Sequence, residues 1–261
     1  MSDDQSGKRD DLLGIKGLSD SVHIVTKGTV DGVGALLGRI CLPAAEELGL
    51  YFKDKVSAWR SENATAIARE AEKILLAAGA KSSVHAHPKI VGKIFELGSW
   101  EDDADVQRMW AGLLASACTE DGRDQRNLIF ISLLSQMSPY QVQLLEVACK
   151  KSSKYISKEG LVYCVLYQVP LDEITRFLKN DLHDADVQLD HMRELGVIVS
   201  EGGFSVNDSL ANITPSPLGL HLYVRCQGFE RSPVEYFNIT TILDKDEMFE
   251  VDDAEIISSL Y

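Results

Sequence analysis

Apolar residues recur at helical spacing along most of the chain. Asp102 to Cys118 shows it best: Val106, Met109, Trp110, Leu113, Leu114 and Ala117 fall at i, i+3, i+4, i+7, i+8 and i+11, one broad apolar face of an α-helix. After Pro43, which suits a first helical turn, Leu48, Tyr51, Phe52, Val56 and Trp59 make a similar inward stripe ending at Arg60. Ile67, Ala71, Ile74, Leu75 and Ala78 make the next helix, stopped at Gly79. Pro88 opens a third, short segment, and Asn127 to Leu134 continues as helix after the turn TEDGRDQRN. Ser138-Pro139 restarts the chain as an N-cap followed by a first-turn proline. The run Glu101, Asp102, Asp103, Asp105 reads as a cap plus first-turn carboxylates favoured by the helix dipole, rather than as a cation site.

Further helices are expected near 138–150, 157–167, 170–180 and 185–195. The apolar period then shortens. LGVIVSEGGFSV predicts a hairpin turning at Glu201-Gly202-Gly203, and ITPSPLGLHLYVRCQG a closing helix capped by Thr214. Helices, a hairpin and an apolar helix in that order predict a winged-helix-like unit. The expected fold is mainly α: a flexible lead over 1–20, an N-terminal helical bundle over 21–135, the winged-helix-like unit over 136–228 and an acidic extension over 229–261. Within the extension, EYFNITTIL suggests a short strand that pairs with the winged-helix hairpin or with a second chain. DKDEMFEVDDAEIISSLY suits docking on a basic, apolar groove.

Charge decides between partners. The net charge of −14 comes from 26 basic and 40 acidic side chains, and such a chain is repelled by nucleic acid and anionic lipid. Residues 229–261 hold nine acids against Arg231 and Lys245, which supplies −7 of the total. Residues 136–228 hold eight basic and eleven acidic side chains. A helix that reads DNA presents Arg, Lys, Asn or Gln. The candidate here, DADVQLDHMREL, carries Asp184, Asp186, Asp190 and Glu194 against Arg193. A protein partner or self-association is therefore expected, and nucleic acid is disfavoured.

Catalytic and metal chemistry find little support. Cys41, Cys118, Cys149, Cys164 and Cys226 are widely spaced and form no CxxC pair, so they read as small core residues of a reduced, cytoplasmic protein. The charged start MSDDQSGKRDDLLG lacks the apolar region of a signal peptide. His85-x-His87, and His183-Asp184 with Asp186, lack the second ligand cluster a metal site needs. No GxSxG, P-loop, HExxH or strand-borne GxGxxG is present. No catalytic residue, metal ligand or cofactor is assigned, and the chain is expected not to be an enzyme. Val30 to Leu42 is the most apolar stretch, at 13 residues with Asp31 and Arg39 inside it, short of the roughly 20 that span a bilayer. Gly28/Gly32 and Gly34/Gly38 give it small-residue spacings. Two readings stay open: a buried segment, or membrane contact through residues 28–42 after activation.

Three stretches resemble a known family. PAAEELGLYFKDKVSAWR (43–60), EDDADVQRMWAGLLASA (101–117) and SPYQVQLLEVA (138–148) are similar to the bacterial abortive-infection alpha family. Pro43 to Gly49, Trp59-Arg60, Trp110 to Ala115 and Ser138-Pro139 carry the likeness, over about residues 35–226. The resemblance implies a part in defence against phage and brings no active site with it. The expected function is an anti-phage defence component that acts by protein binding. A winged-helix DNA-binding regulator or antitoxin-like protein is the alternative.

Overall fold

The computed structural model describes residues 31–41, 58–80, 83–176, 181–204 and 209–243. Among these it is mainly helical, with ten helices and two small antiparallel sheets. The chain divides into two compact units. The first comprises residues 1–136 and 225–229, the second 137–224 and 230–261.

The first unit holds α1 (Asp31–Ile40), α2 (Ala58–Ala77), α3 (Pro88–Gly98), α4 (Ala104–Ser116) and α5 (Asn127–Leu134). α4 is the central element and packs on α2, α3 and α5. Its predicted face is realised: Val106, Met109, Trp110, Leu113 and Leu114 are all buried. The indole N–H of Trp110 has no hydrogen-bond partner among the described residues, so Trp110 contributes through apolar packing. The acidic run does cap this helix, as Asp103 Oδ1 accepts from the N–H groups of Asp105 and Val106 at 2.9 and 3.1 Å. α2 runs unbroken from Ala58 to Ala77, so Trp59-Arg60 share one helix with the second stripe. No glycine or proline separates them from Ile67 to end a helix there. The stripe at 43–56 and the lead over 1–20 lie outside the described residues.

Segment 225–229 threads into this unit through two close approaches. A Cβ on Gly112 would lie 1.6 Å from the Cys226 carbonyl oxygen, so α4 admits that backbone only because residue 112 is glycine. A Cβ on Gly228, at φ +81°, would lie 2.3 Å from Ile74 Cγ2. Arg225 is buried beside them. It donates to Asn127 Oδ1 at 3.3 Å and the Ser116 carbonyl at 3.4 Å, and faces Asp124 at 3.6 Å. Asn127 in turn donates to the Leu113 carbonyl and to Ser116 Oγ at 2.8 and 2.9 Å.

The second unit holds α6 (Pro139–Lys151), β1 (Lys154–Ile156), β2 (Val162–Cys164), β3 (Gln168–Pro170), α7 (Leu171–Thr175), α8 (Leu182–Glu194), β4 (Gly203–Phe204) and β5 (Leu210–Asn212). α9 (Pro217–Cys226) and α10 (Pro233–Tyr236) follow, the last two residues of α9 belonging to the first unit. Ser138 and Gln141 form the capping box that starts α6. β1 pairs with β2, and the second sheet runs β3-β5-β4, all antiparallel.

Four expectations need correction here. No helix covers 157–167: Tyr155, Ile156, Val162 and Tyr163 are β-branched or aromatic residues flanking a turn at Ser157–Gly160, and they pair as the β1–β2 hairpin. The later hairpin does not turn at Glu201-Gly202-Gly203. Those residues close an earlier turn, with Gly202 N–H bonded to the Val199 carbonyl, and Gly203 already begins β4. Thr214 does not cap α9. Ser216 Oγ accepts from the Gly219 N–H at 3.0 Å, while Thr214 Oγ1 accepts from the Tyr167 N–H at 2.7 Å. In the extension, EYFNITTIL is not one strand. Ser232-Pro233 starts α10, with the Ser232 hydroxyl accepting from Val234, and only Ile242 bridges Ile156, on β1 rather than on the later hairpin. Tyr236 and Phe237 each pack 6.1 Å from the Tyr223 ring. Residues 244–261, including the proposed groove-binding stretch, lie outside the described residues.

Candidate functional site

Groups that could do chemistry are mostly used up by the fold. Among the described residues no three His, Cys, Asp or Glu side chains gather as a metal site. His87 caps α3 through Nδ1, which accepts from the Lys89 N–H at 3.2 Å, and the His85 backbone exchanges two hydrogen bonds with Thr119. Asp184 lies in the first turn of α8, its N–H donated to Asp181. Cys41, Cys118, Cys149 and Cys226 are buried. Burial pushes the Cys118 thiol up to about 12 and the Cys226 thiol well above its ordinary value, which keeps both protonated and inert.

The most distinctive surface lies where α2, α3 and α4 meet. Trp59 and Trp100 are 41% and 60% exposed, although large aromatics are ordinarily mostly buried. Their rings stand 6.5 Å apart, tilted by 58°. Beneath them a polar layer is fully engaged. Arg60 is buried and donates to Ser99 Oγ at 2.7 and 3.0 Å and to the Glu96 carbonyl at 3.0 Å, with its guanidinium 4.0 Å from the Trp100 ring centroid. Asn63 donates to the Ser99 carbonyl at 3.1 Å, and Gln107 reaches Asn63 Oδ1 at 3.3 Å and the Glu101 carbonyl at 2.8 Å. These bonds fix the loop between α3 and α4, and so hold Trp100 at the surface without a cost in unsatisfied polar groups. The sequence stripe turned Trp59 inward; the structure turns it out, because α2 is continuous and Arg60, not Trp59, faces the interior. Trp100 carried a signal of its own, an aromatic residue outside every apolar stripe, in the polar turn GSWEDD.

Two carboxyls of the first unit are shifted in opposite senses. Burial raises the Glu101 pKa above its ordinary value, and Asp102 and Asp103 add to it. Asp124 is held below the usual carboxylate range, first by the hydrogen bond from the Arg126 side chain, with Arg225 contributing charge and burial opposing. A raised carboxyl costs stability above its folded pKa, so Glu101→Gln is expected to stabilise the protein at neutral pH, with the gain fading below about pH 4. A lowered carboxyl contributes stability above its unfolded pKa that is lost as pH falls through the folded one. Asp124→Asn is thus expected to destabilise at neutral pH, with the deficit shrinking as pH falls below the ordinary aspartate range of about 4. Urea titrations at both pH values read the two signs.

The second unit offers a different face. On α8, His183, Asp184, Asp186, Val187 and Glu194 are exposed, Leu182 and Val187 at 46% and 65%. Arg193, the basic residue there, is turned onto its own unit, with Nη1 on the Gly202 carbonyl at 3.1 Å and Nη2 on Asp190 at 2.6 Å. Asp184, Asp186 and Glu194 thus face solvent on this helix against one exposed arginine, Arg193.

The model of the family described as abortive infection alpha matches residues 60–220, more than half of the chain. The chain belongs to that family. No curated protein and no solved structure matches it. Within this abortive infection alpha chain, Trp110 to Ala115 and Ser138-Pro139 fall inside the matched span, whereas Pro43 to Gly49 falls before it. The buried α4 face and the capping box of α6 thus lie within the matched span. Arg60, which orders the Trp100 loop, is the first residue of the match.

Proposed function

We propose that this protein is a cytoplasmic anti-phage defence component that works by binding another protein, and that it is not an enzyme. The exposed Trp59–Trp100 pair carries the reading, supported by family membership. Two indoles held at the surface by a satisfied polar layer have the character of interface anchors, where tryptophan is enriched. The order α6, β3, α7, α8, β4, β5 and the sheet order β3-β5-β4 support a winged-helix reading of the second unit. Its acidic α8 favours a docking or structural role for that unit over DNA reading. Membrane contact through residues 28–42 is the least supported partner: α1 buries Leu36, Leu37 and Ile40, and no helix among the described residues is long and apolar enough to cross a membrane.

The DNA-binding regulator is the second reading, favoured by the strand order alone. Fluorescence anisotropy with a labelled mixed-sequence duplex at low salt separates the two. No saturable binding is expected. Tight binding that weakens steeply with salt would replace the protein-binding reading with the regulator.

A further inference from the structure

We propose that the Trp59–Trp100 face receives a cationic segment of a protein partner, its lysine and arginine side chains lying against the indoles inside a rim of carboxylates. This deepens the protein-binding reading and rests on it. Residues 58–63 and 96–104, which carry the two tryptophans, hold five acids (Glu62, Glu96, Glu101, Asp102, Asp103) and one basic residue, Arg60. Arg60 is 6% exposed and committed to Ser99 and Glu96, so it does not offset the rim at the surface. Glu62 lies one helical turn after Trp59, Glu96 one turn before Trp100, and Glu101 to Asp103 follow Trp100 directly.

The indole faces themselves attract cations through the ring quadrupole. That contact is already made once from within, by the Arg60 guanidinium 4.0 Å from the Trp100 centroid. The rim also selects against other occupants. A purely apolar partner would leave the carboxylates without counter-charges. Anionic lipid and nucleic acid would be repelled by them. Burial raises the Glu101 pKa first, and the Asp102 and Asp103 charges add to it; an arriving cation offsets that added repulsion.

A chain of net charge −14 will adsorb polycations anywhere, so the test must hold charge constant. The full-length protein is titrated into a fluorescein-labelled alternating Arg-Gly peptide, and into its Gln-Gly counterpart, at physiological salt. Trp59→Ala/Trp100→Ala leaves the charge unchanged. It is expected to weaken Arg-Gly binding about tenfold, from two cation–ring contacts, while Val187→Ser on α8 leaves it unaltered. Thermal melts confirm that both variants are folded. Equal affinity in the parent and the tryptophan variant overturns the proposal, as does equal binding of the two peptides, or no binding of either. If the same variant loses phage protection while showing no loss of Arg-Gly affinity, the binding reading stands and the cationic partner alone is overturned.

Discussion

Gly112→Ala is expected to destabilise the first unit severely, although the substitution would strengthen an isolated helix. Residue 112 lies in the middle of α4, where glycine costs about 0.5–1 kcal/mol relative to alanine through backbone entropy. Propensity alone therefore predicts a gain. The structure reverses the sign. The new Cβ would lie 1.6 Å from the Cys226 carbonyl oxygen and 2.2 Å from its carbon. These are backbone atoms, so no rotamer change relieves the overlap, and the whole of segment 225–229 must move. Its displacement also pulls Arg225 from the Ser116 carbonyl and Asn127, leaving a buried guanidinium short of hydrogen bonds. The expected loss exceeds the roughly 1–3 kcal/mol usual for overpacking and reaches about 4 kcal/mol. Gly92→Ala in α3 is the matched control. Its Cβ meets nothing within 4 Å, so it should stabilise by about 0.5–1 kcal/mol. Urea denaturation of the two variants decides the matter. A Gly112→Ala protein as stable as the parent would mean that segment 225–229 is not seated against α4.

Helices with a broad apolar face were readable from spacing, and so were their caps. Val106, Met109, Trp110, Leu113 and Leu114 are buried as their period requires, and Asp103, Ser138 and Pro88 start helices where short polar residues and prolines predict. Short elements were not readable. KYISKEGLVYC contains apolar residues at intervals that fit either period, and only the pairing of Tyr155 with Tyr163 across β1 and β2 resolves it. Ser232-Pro233 is a helix start as strong as Ser138-Pro139, but the alternation of the following residues masked it. The return of 225–229 to the first unit is a long-range fact. Gly112 looks like a flaw in an otherwise good helix until Cys226 is placed against it.

The candidate surface was less visible than the fold. Trp59 fitted the apolar stripe that begins at Leu48. Exposure of Trp59 depends instead on the register of α2, which puts Arg60 inside, where Ser99 and Glu96 satisfy it. No local pattern announces that network. Its members, Arg60, Asn63, Ser99 and Gln107, are joined by hydrogen bonds across up to 44 residues of chain and meet only when α2, α3 and α4 pack. The family likeness was legible because Trp110 to Ala115 and Ser138-Pro139 are contiguous motifs within the matched span.

The tryptophan face, and not the α8 face, is the surface through which we propose that this protein meets its target. Cells carrying the parent chain, Trp59→Ala/Trp100→Ala or Leu182→Ser/Val187→Ser are challenged with a phage that the parent restricts, and plaques are counted. All four positions are substantially exposed, so each variant should fold with a melting temperature within a few degrees of the parent. Plating on the tryptophan variant is expected to rise to the level of cells lacking the chain, while the α8 variant restricts as the parent does. Full restriction by a folded tryptophan variant, with restriction lost in the α8 variant, would contradict the account.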